Sequence, residues 1–257
     1  NDRIRVWFHP TMPYQCSDEL LGKISDLSRE LDVGFSIHLH EEKSEVDNWI
    51  ENTGLSPIKY YYENGIDILN ERNIATHCVW LDDEEIDILK RTNTSVSHNA
   101  VINLHSAGIA PIPKLLAAGV TVGLGTDDAF GDMFEVMKTT ALVHKLPAGN
   151  SSVILPDKIL EMATIDGARV MRLDDQVGSI QAGKKADLVM LDLEHPNTTP
   201  ITSPLSYLIV YCAKANNVDT VIINGEIILR NGSFVSLDEK NVIEKTQRSM
   251  DRLLRSS

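Results

Sequence analysis

The sequence predicts an α/β fold that is built either on an open parallel sheet or on an incomplete TIM-type (β/α) barrel lacking its first strands. Short apolar runs alternate with helix-like segments over the first two thirds of the 257 residues, which is typical of parallel strands joined by right-handed crossovers. Five such runs occur, whereas a closed barrel needs about eight strands. After about Leu173 the pattern changes to a small β module and a C-terminal helix.

The elements follow in a regular order in residues 1–174, which we predict to form one domain. Ser17 is expected to cap the first helix, because acidic residues and a stripe of leucines at helical spacing follow it. Gly119 is expected to end a later helix. Strands are predicted at residues 4–8, 35–39, 74–78, 94–97 and 120–124, and helices at 18–31, 58–69, 82–90, 111–118, 133–145 and 156–171.

Residues 175–257 are predicted to form a second unit. A strand at 186–191 precedes a hairpin at 218–229, whose Asn224-Gly225 turn is the strongest short hairpin signal. Between them lies a proline-rich loop and a helix near 205–213. An amphipathic helix over 237–254 closes the chain.

Composition limits the possible partners. The 24 basic and 37 acidic residues give a net charge of −13, which opposes binding to nucleic acid or to an anionic membrane. Only three cysteines occur, far apart and without a metal-binding spacing, so a reducing, cytoplasmic setting is expected. No apolar run is long enough to span a bilayer.

Polar side chains stand at or just beyond the ends of four predicted strands: His38 with Glu41, His77, His98 and Asp127. Because parallel strands present their carboxyl ends at one edge, these groups predict a hydrolytic metal site. A catalytic zinc ion uses three protein ligands and leaves one position for water. His38, His77 and Asp127 would be the ligands, Asp127 would also accept a proton, Glu41 would be a general acid, and His98 would polarise an oxygen.

Each of these residues also has a simpler interpretation. His40 and Glu42 compete for the roles of their neighbours, and Glu41 could belong to a solvated run of charges. A strand-end histidine is often a hydrogen-bonded core residue, and Asp127 could cap a helix. The remaining histidines are expected at the surface: His9, His105, His144 and His195.

Several short motifs follow one another along the chain: Pro13-Tyr14-Gln15-Cys16-Ser17, His38-Leu39-His40-Glu41, Thr76-His77-Cys78-Val79, Ser97-His98-Asn99, Gly108-Ile109-Ala110-Pro111 and Gly123-Leu124-Gly125-Thr126-Asp127. Their order resembles the metal-dependent amidohydrolase superfamily, in its branch of nucleobase and nucleoside deaminases and triazine-type chlorohydrolases. The later stretch at residues 177–189 is similar to the urease-type strand that follows the barrel in this superfamily.

The resemblance implies a barrel packed against a β-sandwich built from both chain ends, and a homodimer. It implies one divalent metal, Zn²⁺ first and Fe²⁺ or Mn²⁺ as alternatives, held by His38, His77 and Asp127, with Glu41 as proton shuttle and His98 beside the reacting centre. The His-x-His of the family's first strand has no counterpart here, as expected if upstream residues are missing. Two positions at which close relatives often carry histidine are occupied by Thr11 and Trp80, and an aspartate, Asp128, replaces a frequent glycine.

The expected activity is deamination of an amino-substituted heterocycle (purine, pyrimidine or pterin-like) through metal-bound hydroxide. Two alternatives stay open: the same machinery acting on an s-triazine ring with chloride or an alkylamine as leaving group, and a non-catalytic α/β binding protein.

Overall fold

Four parallel strands and the helices between them form the first part of the chain. The computed structural model describes residues 4–106, 108–128, 131–201 and 204–256. The strands lie side by side in sequence order, all parallel: β1 (Phe35–Leu39), β2 (Asn73–His77), β3 (Ser95–His98) and β4 (Val122–Leu124). An α/β fold with a parallel sheet is therefore confirmed.

Helices connect these strands and extend beyond the last of them. Ser17 caps the first helix by accepting a hydrogen bond from the backbone N–H of Leu20, and Asp82 forms a capping box with Glu85 at the fourth. The helices are α1 (Asp18–Glu30), α2 (Lys43–Thr53), α3 (Pro57–Glu63), α4 (Asp83–Arg91), α5 (Ala100–His105), α6 (Ile112–Ala118), α7 (Met133–Val143), α8 (Lys145–Ala148), α9 (Pro156–Met162) and α10 (Ile165–Val170).

The core lies between one face of the sheet and the helices. Phe35, Ile37 and Leu39 alternate along β1 and are fully buried together with Leu21 of α1. Since successive strand residues point to opposite faces, Ser36 and His38 belong to the other face. That opposite face carries the polar side chains of the candidate site.

A separate antiparallel sheet forms most of the second part. Its strands are β5 (Leu188–Leu191), β6 (Val218–Ile223), β7 (Glu226–Arg230) and β8 (Ser233–Phe234), in sequence order, with α11 (Leu205–Tyr211) between the first two and α12 (Glu239–Ser256) after the last. The predicted hairpin is present, and both turn residues have positive φ: 50° at Asn224 and 81° at Gly225.

Several predicted elements differ from those observed. Within residues 4–8 the structure gives a single bridge, from Phe8 to Phe35, while Ile4 and Val6 are 85% and 79% exposed, so the range is not a strand. The predicted helix at 58–69 ends at Glu63, before the turn at Gly65 with φ 67°. The helix at 156–171 is two helices, α9 and α10. The sequence reasoning missed α2 and α5 altogether.

Among the described residues, none of the helices combines the length and the apolar composition that crossing a bilayer requires.

Candidate metal centre

The carboxyl ends of the parallel strands bring three of the predicted residues together. One ligand atom each of His38, His77 and Asp127 lies within 4.8 Å of the other two. The rings of His38 and His77 are stacked, with centroids 5.0 Å apart. Two imidazoles and a carboxylate at this separation can share one cation.

His38 offers its Nε2 to the cation position between the three residues. Its Nδ1 lies 2.7 Å from the carbonyl oxygen of Thr11, so Nδ1 carries the proton and donates. Nε2 then keeps a lone pair, the form in which histidine binds a metal. Thr11 thus contributes its main chain to the site.

His77 reaches the site because the backbone turns at the end of β2. Its Cα is paired with that of Leu39, so an extended strand would send it towards the core. Instead φ is 72° at His77 and 50° at Cys78, a left-handed conformation that costs about 1–2 kcal/mol per residue. Its Nδ1 lies 2.8 Å from Oδ1 of Asn103, and Nε2 lies 3.5 Å from oxygens of Glu41 and Asp127.

Hydrogen-bond donors contact both carboxyl oxygens of Asp127. Nδ2 of Asn99 donates to its Oδ2 at 2.9 Å, and the backbone N–H of Asp128 donates to its Oδ1 at 2.8 Å. Its φ of 59° is also left-handed. Each carboxylate oxygen has a second lone pair, so these contacts leave room for a cation.

Glu41 stands beside the three residues. Burial raises the pKa of its carboxyl, and the negative charge of Asp127 adds to the rise, while His38 opposes it. The indole N–H of Trp80 donates to the carbonyl oxygen of Glu41 at 3.1 Å and holds its backbone. A carboxyl group with a raised pKa is suited to donate a proton near neutral pH.

The residues present fit a divalent metal. Nε2 of His77 is buried and has no hydrogen-bond partner among the described residues, which is costly for a polar atom unless something binds it. Burial lowers the pKa of His77, so its ring is neutral and able to coordinate. Nitrogen and carboxylate donors of this kind suit Zn²⁺, and also Fe²⁺.

His98 is not one of the three clustered residues, and its predicted place beside the reacting centre stays a prediction. Along β3 it is in phase with buried Val96. Its Nε2 lies 3.2 Å from Nε2 of His144 on the helix side, and it is 1% exposed. Burial lowers the pKa of both rings, that of His144 to about 4.

The other histidines divide into exposed and buried ones. His9 and His105 are exposed, as predicted, although the ring of His9 lies edge-on to that of His38, with centroids 4.9 Å apart. His195 is half-buried. His144 is 1% exposed, so its prediction as a surface residue is wrong. His40 bonds to the carbonyl oxygen of Trp80 and lies away from the three residues.

Sequence reasoning missed Asn99 and Asn103. Asn99 directly follows His98 at the end of a predicted strand, so its position was a signal. Asn103 gave none, because the six-residue helix α5 that carries it was not predicted.

Comparison with known proteins identifies the family of the chain. A family model described as "Amidohydrolase family" matches residues 1–228. A 5'-deoxyadenosine deaminase of Methanobrevibacter smithii is 37% identical over 260 residues, which are 99% of this chain and 59% of that protein. An S-triazine hydrolase of Gordonia rubripertincta is 38% identical over 234 residues, 89% of this chain and 48% of that protein.

A solved structure shows the same fold. The adenosine deaminase from Xanthomonas campestris, whose crystal structure holds bound zinc, superposes with a TM-score of 0.93 at 29% identity, over 100% of this chain and 59% of that one. The chain thus spans about half to three fifths of the length of the proteins it matches. The match of the family model to most of the chain confirms the resemblance: the chain belongs to the amidohydrolase family.

Proposed function

We propose that the protein is a metal-dependent hydrolase that deaminates an amino-substituted heterocycle, a purine, pyrimidine or pterin-like ring. The observation that carries the proposal is the convergence of His38, His77 and Asp127 within 4.8 Å, with Glu41 beside them. The names of the relatives, 5'-deoxyadenosine deaminase and adenosine deaminase, support the same substrate class.

In this proposal the two histidines use Nε2 and Asp127 uses its carboxylate to hold one divalent metal, Zn²⁺ first and Fe²⁺ or Mn²⁺ as alternatives. When bound, a metal of this kind supplies Lewis acidity and lowers the pKa of a water molecule to roughly 7. The zinc in the related adenosine deaminase supports the choice of Zn²⁺.

The chain's own residues would move the protons. Glu41, whose pKa is raised, would protonate the ring nitrogen next to the carbon that is attacked. Asp127 would take a proton from the attacking water and deliver it to the departing amine. As ammonia leaves, the ring nitrogen would return its proton to Glu41, so that the ring gains a hydroxyl group, loses ammonia and consumes one water.

Replacing Glu41 by glutamine tests this assignment. We expect Glu41→Gln to abolish ammonia release while the zinc content of the purified protein stays at the wild-type level, because the three proposed ligands are intact. Glu42→Gln is the matched control, since Glu42 is exposed and next in the chain, and it should leave both quantities unchanged. Full activity of Glu41→Gln would remove Glu41 from the scheme.

The S-triazine hydrolase relative supports a second candidate function. The same residues would then release chloride or an alkylamine from a triazine ring. Measuring ammonia and chloride in parallel, over adenosine-type nucleosides, pterins and chlorotriazines, separates the two. A protein without stoichiometric transition metal and without either product would instead be the non-catalytic α/β binding protein.

We also propose the wider organisation that the resemblance implies. Residues 1–174 would be part of a TIM-type barrel that lacks its first strands, and 175–257 part of a β-sandwich with a terminal helix, of which β5–β8 form one sheet. The homodimer and the cytoplasmic location stay predictions. Sedimentation velocity on the purified protein tests the first.

A further inference from the structure

Two asparagines, one preceding α5 and one within it, each reach a different residue of the candidate metal centre. Asn99 directly precedes the helix and Asn103 lies one turn later, where residues four apart share a face. The backbone N–H of Asn103 donates to the carbonyl oxygen of Asn99 at 3.0 Å. The side chain of Asn99 binds Asp127, and that of Asn103 binds His77.

Asn99 uses its side chain for Asp127 instead of for its own helix. Asparagine is among the best N-cap residues, worth about 1 kcal/mol, yet here it makes no capping hydrogen bond. Its Nδ2 donates to Oδ2 of Asp127 at 2.9 Å, and its Oδ1 accepts from Oγ of Ser97 at 3.0 Å. The amide is therefore held at both ends and aimed at the carboxylate.

The space for this amide comes from Gly125. A Cβ at that position would lie 2.3 Å from Oδ1 of Asn99 and 2.6 Å from Oγ of Ser97. A side chain of any size at residue 125 would therefore displace the amide. The arrangement depends on Ser97, Asn99 and Gly125 together and not on Asn99 alone.

Asn103 determines which nitrogen of His77 carries the proton. A neutral imidazole has one N–H, and an amide oxygen can only accept. With Oδ1 of Asn103 at 2.8 Å, the proton is on Nδ1, and the buried Nε2 keeps a lone pair that faces Glu41 and Asp127. If the amide were reversed, its NH₂ group would face Nδ1 and the proton would move to Nε2, which would then be unable to bind a cation.

We propose that Asn99 and Asn103 are paired positioning residues, which fix the carboxylate of Asp127 and the tautomer of His77 for cation binding. This inference rests on the proposed function for the identity of the site. The helix α5 would therefore orient two of the proposed ligands although it carries none of the three itself. Replacing a residue that hydrogen-bonds to a metal ligand typically lowers metal affinity or activity by about 10- to 100-fold.

The tautomer of His77 gives a test that needs neither metal nor substrate. In ¹⁵N NMR spectra of the metal-free protein at neutral pH, wild-type His77 should carry its proton on Nδ1. Asn103→Leu should lose this preference, and Asn103→Asp, which also offers only an acceptor, should keep it. Protonation of Nε2 in the wild type, or an unchanged tautomer in Asn103→Leu, would overturn the role of Asn103.

Zn²⁺ affinity, measured by competition with a chromophoric chelator, completes the test. We expect Asn103→Leu to bind Zn²⁺ about 10- to 100-fold more weakly, and Asn103→Asp to bind within a few-fold of the wild type. Asn73→Leu is the matched control, because Asn73 is equally buried, bonds to the carbonyl oxygen of Ile68 and lies at the other end of β2. It should lower stability without changing the tautomer or the affinity.

Asn99→Ser separates an effect on the position of Asp127 from an effect on folding. Because serine is too short to reach Asp127 in the same way, Zn²⁺ affinity should fall. Because serine is a good N-cap for α5, thermal stability should hold or rise. Equal Zn²⁺ affinity in this variant and the wild type would overturn the role of Asn99. If the wild type bound no Zn²⁺, the proposed function would fail, whereas the tautomer measurement would still decide the role of Asn103.

Discussion

Gly125→Ala should weaken cation binding by about two orders of magnitude at most, although it adds a single methyl group. The new Cβ would stand 2.3 Å from Oδ1 of Asn99, whereas ordinary contact begins at 3.4 Å, so the amide must retreat by about 1 Å. The backbone of Gly125 is outside the left-handed region, so alanine can adopt it and the effect is steric. A displacement of that size breaks the 2.9 Å hydrogen bond from Asn99 to Asp127.

The magnitude follows from the strength of that bond. Hydrogen bonds to charged groups contribute about 1.5–3 kcal/mol, and each 1.4 kcal/mol is about a factor of ten. Gly125→Ala should therefore bind Zn²⁺ about 10- to 150-fold more weakly in a chelator competition, with a native far-ultraviolet circular dichroism spectrum.

Gly22→Ala is the control for this prediction. Gly22 lies within α1, and a methyl group added there would meet no atom within 4 Å beyond its own helix and chain neighbours. The variant should therefore keep its Zn²⁺ affinity and gain up to about 1 kcal/mol of stability. Wild-type affinity in Gly125→Ala would refute the reasoning, because it would show that the Asn99–Asp127 contact does not matter for the cation.

Three further predictions concern stability. Burial lowers the pKa of His144 from 6.5 to about 4, so the unfolded chain binds more protons than the folded one below pH 6.5. The free energy of unfolding should therefore fall by up to roughly 3 kcal/mol as the pH drops from 6.5 to 4. In urea unfolding, His144→Gln should reduce this dependence on pH, and an unchanged dependence would contradict the prediction. Ser17→Ala removes the cap on the N–H of Leu20 and should cost about 1 kcal/mol in the same assay, whereas no loss would show that the cap is dispensable. Ile37→Ala, at a fully buried position in β1, should cost about 2–5 kcal/mol, and a loss below about 1 kcal/mol would place Ile37 outside the core.

Much of the parallel sheet could be predicted from local sequence. The alternation from Phe35 to Leu39 marks a strand with the observed bounds, and Asn224-Gly225 marks the hairpin. The candidate ligands could be selected because they stand where apolar runs end. The residues at 4–8 alternate equally well, but a strand needs neighbours on which to form its hydrogen bonds, and sequence alone does not supply these.

One error concerns the face of a helix, and the sequence held a signal for it. His144 continues the buried stripe of Met137 and Thr140 on α7 at helical spacing. It was assigned by its position in the chain and not by the spacing of that stripe.

The contacts of Asn99 and Asn103 were beyond local patterns, although the place of Asn99 after a predicted strand was a signal. Their contacts join residues 26 and 28 positions apart in sequence, through a helix of only six residues. The left-handed turn that directs His77 into the site is equally hard to predict, because few residues other than glycine adopt a positive φ. Such features follow from the packing of several elements at one edge of the sheet.

X-ray diffraction from crystals grown with Zn²⁺, recorded on both sides of the zinc absorption edge, tests the central claim most directly. We predict one strong anomalous peak about 2.0–2.2 Å from Nε2 of His38, Nε2 of His77 and a carboxylate oxygen of Asp127. A peak bound elsewhere, or none at full zinc loading, would contradict the account.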